Sequence, residues 1–189
     1  MEPLQQQAVD QVEAVLKDLV ESGQGIESAR KPLKEIALAN GWDWFVGKTA
    51  ADLGRNLGPL VRAYSYASYS DDRRQQLLDE EQGAWIFHAG MACDEHPQLL
   101  DGLCLEPGHP FWSRHSPPHG WDCDCYVTGV SSIAMTKRLG SDPERSVPEW
   151  CSQIDPATGN PIGLSGPWAD GPPSVRALLE ALAAGQGPD

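Results

Sequence analysis

No stretch of this 189-residue chain is basic. Lys and Arg number 14 against 27 Asp and Glu, a formal net charge of −13. The acidic excess is greatest over residues 61–130, with 4 Lys/Arg against 11 Asp/Glu. Gripping nucleic acid by neutralising phosphates requires a Lys/Arg face, and docking on anionic lipid requires one too. Neither mode is expected. No apolar run approaches the ~18 residues that would span a bilayer. The opening Met1-Glu2-Pro3-Leu4 lacks the basic start and apolar stretch of a secretory leader. Catalytic signatures are missing as well: there is no H-E-x-x-H, no G-x-S-x-G and no Walker-type glycine loop. The H-x-E and P-C-x-x-C pair of the zinc deaminases is absent, and no internal repeat is visible. Five cysteines, an odd number without a leader, argue against a disulfide framework.

What is present suits one domain of ordinary size, or a compact core with arms. Apolar residues make up 40%, while 19 Gly and 16 Pro commit much of the chain to loops. Residues 1–83 read as a helical region. Ala8, Val9, Val12, Leu16, Leu19 and Val20 fall at spacings near three and four, an amphipathic stripe ended by Ser22-Gly23. Pro32 disfavours the helical conformation at Lys31, so a second helix is expected from Pro32 to Asn40, with Gly41 at its C-terminus. Trp42, Trp44 and Phe45 form an aromatic knot expected in the core. A third helix is expected over residues 49–57, broken at Gly58-Pro59, with a fourth from Pro59 to about Leu78. Tyr64, Tyr66 and Tyr69 suggest packing with a wet edge.

Residues 84–131 read as a Cys/His β/loop unit. Residues 85–88 and 126–130 have strand composition. Between them lie five prolines and four glycines, a loop too long and broken to hold itself by backbone pairing; it needs a staple or a function. Residues 132–189 read as a C-terminal arm. A short helix is expected over 133–139, a turn over 155–161, and a terminal helix from Val175 capped by Ser174.

Every histidine and four of the five cysteines fall within residues 88–125. Cys93-Asp94-Glu95-His96 is a C-x-x-H pair, and Cys123-Asp124-Cys125 is a C-x-C pair. Two close pairs separated by a long loop follow the spacing of a structural zinc site. Cys93, His96, Cys123 and Cys125 would supply three thiolates and one imidazole. Spacing does not rank these against Cys104, His109, His115 and His119, which stand as substitutes; Cys151 reads as a buried thiol. A zinc staple would offset the entropy of ordering the loop. The competing chemistry is a thiolate–imidazole pair, His115 with Cys123 or His119 with Cys125, or Glu95 as a general base beside a metal-bound water.

Residues 109–127 contain His109-Pro110-Phe111-Trp112, then Pro117-Pro118-His119-Gly120-Trp121-Asp122-Cys123-Asp124-Cys125-Tyr126-Val127. This run resembles the signature of the Mu F-like phage head morphogenesis (minor head) proteins, a Pro-Phe-Trp step followed by Pro-Pro-x-Gly-Trp-x-Cys-Arg-Cys and a short strand. The helix bearing Arg62 to Arg74, the strand with Trp85, and His96 with Leu99 and Gly102 after it are similar to the family as well. So is the turn Asp155-Pro156-x-x-Gly159-x-Pro161-x-Gly163. Together they extend the resemblance over roughly residues 50–170. Two departures stand out: Asp124 replaces the family's Arg between the cysteines, and the Asp and Arg that usually precede the ligand His are absent from Ala89-Gly90-Met91-Ala92-Cys93.

The resemblance implies zinc ligation by Cys93, His96, Cys123 and Cys125. It implies an α+β fold with a treble-clef-like unit stapled by zinc, following the N-terminal helical region and preceding a loop-rich C-terminus. It also implies a structural, non-catalytic role as a minor head protein of a phage or prophage, associated with the portal and other capsid proteins. The expected place is the head interior of the virion, or the host cytoplasm during assembly. A zinc-dependent hydrolase or toxin module, or a small zinc-binding adaptor, are the alternatives.

Overall fold

A computed structural model of the chain describes residues 4–80, 82–91, 95–137, 141–142 and 144–188. It is a mixed fold of helices and one small antiparallel sheet. The chain divides into two compact units, residues 1–65 with 173–189, and residues 66–172.

The first unit is helical. Helix α1 (Gln6–Ser22) follows the expected stripe, burying Ala8, Val9, Val12, Leu16 and Leu19, and Gly23 ends it in the left-handed conformation at φ 63°. Helix α2 (Glu27–Ala39) starts five residues before the expected Pro32 and carries that proline inside. This corrects the reading from Pro32. The early turn is held by the Glu27–Arg30 ion pair and by Ser28 Oγ donating to the Gly25 carbonyl. With Ala29 and Leu33 buried, packing outweighs the one backbone hydrogen bond proline removes. The end of α2 is as expected: Gly41 takes φ 67°, its N–H meets the Leu38 carbonyl, and Trp42 N–H meets Ala37 at 2.9 Å, a Schellman closure.

Helix α3 (Asp43–Val46) carries the aromatic knot, with Trp42 and Phe45 buried and Trp42 stacked on Trp44. Asn56 Nδ2 donates to the carbonyls of Trp44 and Phe45, both at 3.0 Å. Helix α4 (Ala50–Asp79) is one 30-residue helix, where two were expected. Gly58-Pro59 does not break it. Leu53, Leu57 and Leu60 are all buried around that step, and their burial holds the helix through the missing hydrogen bond. Helix α8 (Val175–Ala183) contacts α1 and α3 and returns the C-terminal end of the chain to this unit. Ser174 caps it, its Oγ accepting from Ala177 N–H at 3.2 Å, and Arg176 donates to the Leu4 carbonyl and Gln6 Oε1.

The second unit is built around three strands. β1 (Ala84–His88) lies between β2 (Cys104–Leu105) and β3 (Tyr126–Val130), both antiparallel to it. β1 and β3 fall where strand composition indicated; β2 is an addition, recruited by the exchange of Phe87 and the segment 102–103 through two 2.9 Å hydrogen bonds. β1 is covered on both faces. Trp85 and Phe87 join Leu77, Leu100, Leu103, Phe111, Trp112 and three cysteines, while Ala84 and Ile86 meet Cys104 and Val130. Gly129 is required in β3, because a Cβ there would lie 2.7 Å from Leu77 Cδ2 on α4 and 2.4 Å from Gln82 Cγ.

Short helical turns punctuate the long loop, α5 (Glu95–Gln98) and α6 (Phe111–His115), and a third, α7 (Ile133–Thr136), follows β3. α7 stops short of the expected end at Leu139, which lies outside the described residues. Arg145 donates to the carbonyls of Asp101 and Leu99, tying the segment after α7 to the loop before β2.

Candidate metal centre

His119, Cys123 and Cys125 converge. One ligand atom from each lies within 4.8 Å of the others. All three are buried, at 3%, 3% and 5% exposure. Around a tetrahedral zinc, with sulfur about 2.3 Å and nitrogen about 2.0–2.1 Å from the ion, ligand atoms lie roughly 3.4–3.8 Å apart. The trio, within 4.8 Å of one another, is close enough for side-chain adjustment to bring it onto one ion.

Local sequence explains the convergence. After the Pro117-Pro118 step, Gly120-Trp121-Asp122-Cys123 makes a turn in which Cys123 N–H approaches the Gly120 carbonyl at 3.4 Å. Asp122 adopts φ 57°, a left-handed conformation that Asp tolerates better than most residues. Gly120 lets the loop pass close to Ser165: a Cβ would sit 2.3 Å from Ser165 Oγ, which would have to turn aside. Ser165 N–H donates to the His119 carbonyl at 3.0 Å, bracing the loop from the far side. Trp121 meets Trp168 edge-to-face at 5.0 Å. On the other flank, Gly90 N–H donates to Cys125 Sγ at 3.3 Å. Gly90 must also be glycine, since a Cβ would lie 2.7 Å from the Asp124 carbonyl carbon.

The imidazole is oriented twice over. Its face stacks on Phe87, with ring centroids 5.4 Å apart and planes 17° apart. Its Nε2 lies 3.0 Å from the His115 carbonyl. A carbonyl only accepts, so Nε2 carries the proton and Nδ1 carries the lone pair. That is the tautomer of a metal-ligating histidine whose other nitrogen donates to a backbone carbonyl. His115 repeats the pattern one layer out, donating from Nε2 to the Cys151 carbonyl at 2.9 Å. Burial holds the His115 imidazole neutral, with its pKa pushed down to about 4.

Of the four expected ligands, Cys123 and Cys125 are brought together, and Cys93 lies outside the described residues. His96 is not in the group. It sits on the exposed turn α5, its ring edge-on to Trp150 at 5.1 Å, with Cβ beside Gly163. His119, one of the substitutes, is the imidazole that lies with the two cysteines. Its signal in sequence is contiguity: it precedes Cys123 by a single turn, in a segment stiffened by two prolines.

The remaining substitutes have other partners. His109 Nδ1 accepts from Phe111 N–H at 3.1 Å, and Cys104 packs on the opposite face of the sheet. Cys151 is buried, and burial pushes its thiol up to about 11, so it stays protonated. Trp112 is core, 2% exposed, whereas Tyr126 is 42% exposed and stacks on His88 at 4.7 Å.

No family model matches the chain, and no solved structure does. Over 90 residues the chain is 28% identical to "Putative capsid assembly protein F" of Escherichia phage Mu. That stretch covers 46% of this chain and 20% of the phage Mu protein. The chain is thus similar, distantly, to about a fifth of the length of that protein.

Proposed function

We propose that the chain is a minor head component of a phage or prophage, acting in capsid assembly or DNA delivery through contacts with the portal and other capsid proteins. The observation that carries this reading is the 90-residue likeness to the phage Mu capsid assembly protein. The acidic composition agrees with it, because a chain of net charge −13 is better suited to protein partners than to packaged DNA. In this reading the role is structural, not catalytic, and the burial of Cys123, Cys125 and His119 agrees with it.

In the same reading the metal is zinc, held by His119, Cys123 and Cys125, with Cys93 as the fourth ligand. It makes the unit a treble-clef-like module, with the turn before β3 as one knuckle. Two thiolates with an imidazole suit zinc among the common divalent ions. When bound, the ion supplies a crosslink between loops. The chain's own residues set the His119 tautomer, exclude water and donate Gly90 N–H to Cys125 Sγ.

Quantitative mass spectrometry of purified particles tests the function. A few copies per particle, co-isolating with the portal, is the expected result. Complete absence from particles, with the protein free in the cell, overturns it. Elemental analysis tests the metal: near-stoichiometric zinc in the wild type, lost in Cys123→Ser, is expected.

A further inference from the structure

In the first unit, a cleft of about 420 Å³ opens between α2 and the start of α4. That size lies within the ~300–1,000 Å³ of ligand-binding clefts. Arg30, Lys31 and Lys34 of α2 and Lys48 of the loop before α4 all line it. These are four of the six Lys and Arg among residues 1–60, a stretch that carries nine Asp and Glu. Among the described residues of the lining, Glu27 alone is a carboxylate, and Arg30 holds it through Nε and Nη2 at 2.7 and 2.9 Å. That pair neutralises itself and leaves three lysines. Lys31 lies 3.9 Å from Glu35 with both side chains largely in water, a pairing of little strength. Lys34 and Lys48 are exposed, and among the described residues neither is in an ion pair.

The backbone sets where these charges stand. Arg30, Lys31 and Lys34 are three or four residues apart, which puts them on one face of α2. The N–H groups of Lys48 and Thr49 donate to Asp52 Oδ2 at 3.0 and 2.8 Å. The start of α4 is thus capped from within, and the lysine side chains, not the helix end, give the cleft its charge. Half-buried Val46 and exposed Ala50 add apolar surface to the lining. Cations gathered in one cleft repel each other, and their field concentrates anions there.

We propose that this cleft docks an acidic segment of a protein partner. Asp or Glu side chains would pair with Lys31, Lys34 and Lys48, and an apolar side chain between them would rest on Val46 and Ala50. Charge complementarity selects the occupant. A nucleic-acid strand needs a basic track that continues past the cleft, and elsewhere in this unit Asp and Glu outnumber Lys and Arg. A short acidic segment meets only the lysines. That the partner is a capsid or portal protein rests on the head-morphogenesis reading; the chemistry of the cleft does not.

The test titrates the full-length protein, labelled with ¹⁵N on lysine alone, with the blocked peptide acetyl-Gly-Glu-Leu-Glu-Glu-Leu-Gly-amide at about 50 mM salt. The chain has five lysines, so each backbone amide resonance is assigned by its loss in the matching Lys→Gln variant. The resonances of Lys31, Lys34 and Lys48 should move and saturate. Those of Lys17 and Lys137, which do not line the cleft, should stay. The peptide with Gln in place of Glu should bind about tenfold more weakly, and so should the Glu peptide to the double variant Lys34→Gln, Lys48→Gln, changed only at exposed positions. No movement up to about 10 mM peptide overturns the proposal, as does equal movement of all five resonances or equal binding of the Gln peptide. So does inorganic phosphate or oligothymidylate binding the cleft more tightly than the peptide. Movement of the same three resonances with protein concentration alone also overturns it, since a second copy of the chain would then be the occupant.

The partner is tested in particles. Loss of the double variant from heads that retain the wild type supports a capsid partner. Full incorporation of the double variant, once it no longer binds the peptide, removes the cleft from head docking and leaves the minor-head reading intact. Absence of the wild type itself from heads removes that reading and leaves the peptide result standing.

Discussion

The two units of this chain solve the same problem by different means. Residues 1–65 with 173–189 bury long helical stripes, one side chain after another: Val9, Val12, Leu16 and Leu19 on α1, Ala29, Leu33 and Ala37 on α2, and Leu178, Leu179 and Leu182 on α8. Each leucine taken out of water contributes about 1.5–3 kcal/mol. Residues 66–172 begin with the end of α4 and otherwise have short strands and short helical turns joined by loops. Their core is small and mixed, and includes Cys123, Cys125 and Cys151 among the aromatics. A helical unit can pay its ordering cost with apolar area alone. A loop-rich unit has fewer such stripes with which to offset the entropy of ordering its backbone, and a crosslink is a physical remedy.

The sharpest way to break that comparison is to remove the proposed zinc. A strong chelator, or Cys123→Ser, should abolish amide protection across residues 84–130, since structural zinc contributes about 10 kcal/mol or more of apparent binding energy. Residues 6–39 should keep theirs. Hydrogen exchange read by mass spectrometry separates the two, and unchanged protection in both would count against the staple.

The converse change is Leu33→Ala in the first unit, where Leu33 is 1% exposed. It should cost about 2–5 kcal/mol in denaturant unfolding, with metal content untouched.

A third contrast concerns pH. His115 has its pKa pushed down to about 4 by burial, whereas an unfolded histidine titrates near 6.5. The unfolded chain therefore takes up the proton first. The stabilisation from neutral His115 is complete above about 6.5 and drains away as pH falls toward 4, amounting to at most about 3 kcal/mol. Subtracting the pH–stability curve of His115→Gln from that of the wild type isolates this contribution, because the metal site's own titration is common to both. A difference that is flat between pH 7 and 4 would sink the idea.

Gly90→Ala should cost about 1–3 kcal/mol by driving a Cβ into the Asp124 backbone, and should weaken zinc retention. The smallest effect belongs to Ser174→Ala, about 1 kcal/mol of thermal stability in the first unit with no change in metal binding.

Much of the first unit was legible in advance. The stripe of α1, the left-handed glycines after α1 and α2, the buried aromatic knot and the Ser174 cap are all local signals, carried by residues within a turn or two of one another. The boundaries that moved, at Pro32 and at Gly58-Pro59, did so because a local penalty met a tertiary reward. One lost hydrogen bond and a tight ring cost about 3 kcal/mol. The leucines buried on either side, Leu53, Leu57 and Leu60 in α4, contribute more.

In the second unit, residue types were legible and partnerships were not. The clustering of Cys and His within residues 88–125 marked the region as a candidate metal centre, and the strands at 84–88 and 126–130 followed from composition. Spacing could not choose among the histidines. C-x-x-H at residues 93–96 is a good local pair, but ligation is decided in three dimensions. His96 lies against Trp150, while His119 is turned onto Phe87 and pinned by the His115 carbonyl beside two thiols. Gly90 and Gly120 read in sequence only as loop residues; the structure shows backbone and side chains packed where their Cβ atoms would be. What the sequence by itself determined was periodicity, capping and donor chemistry, all properties of neighbours along the chain. Only the tertiary structure decided which distant groups meet, because that depends on the packing of residues far apart in sequence.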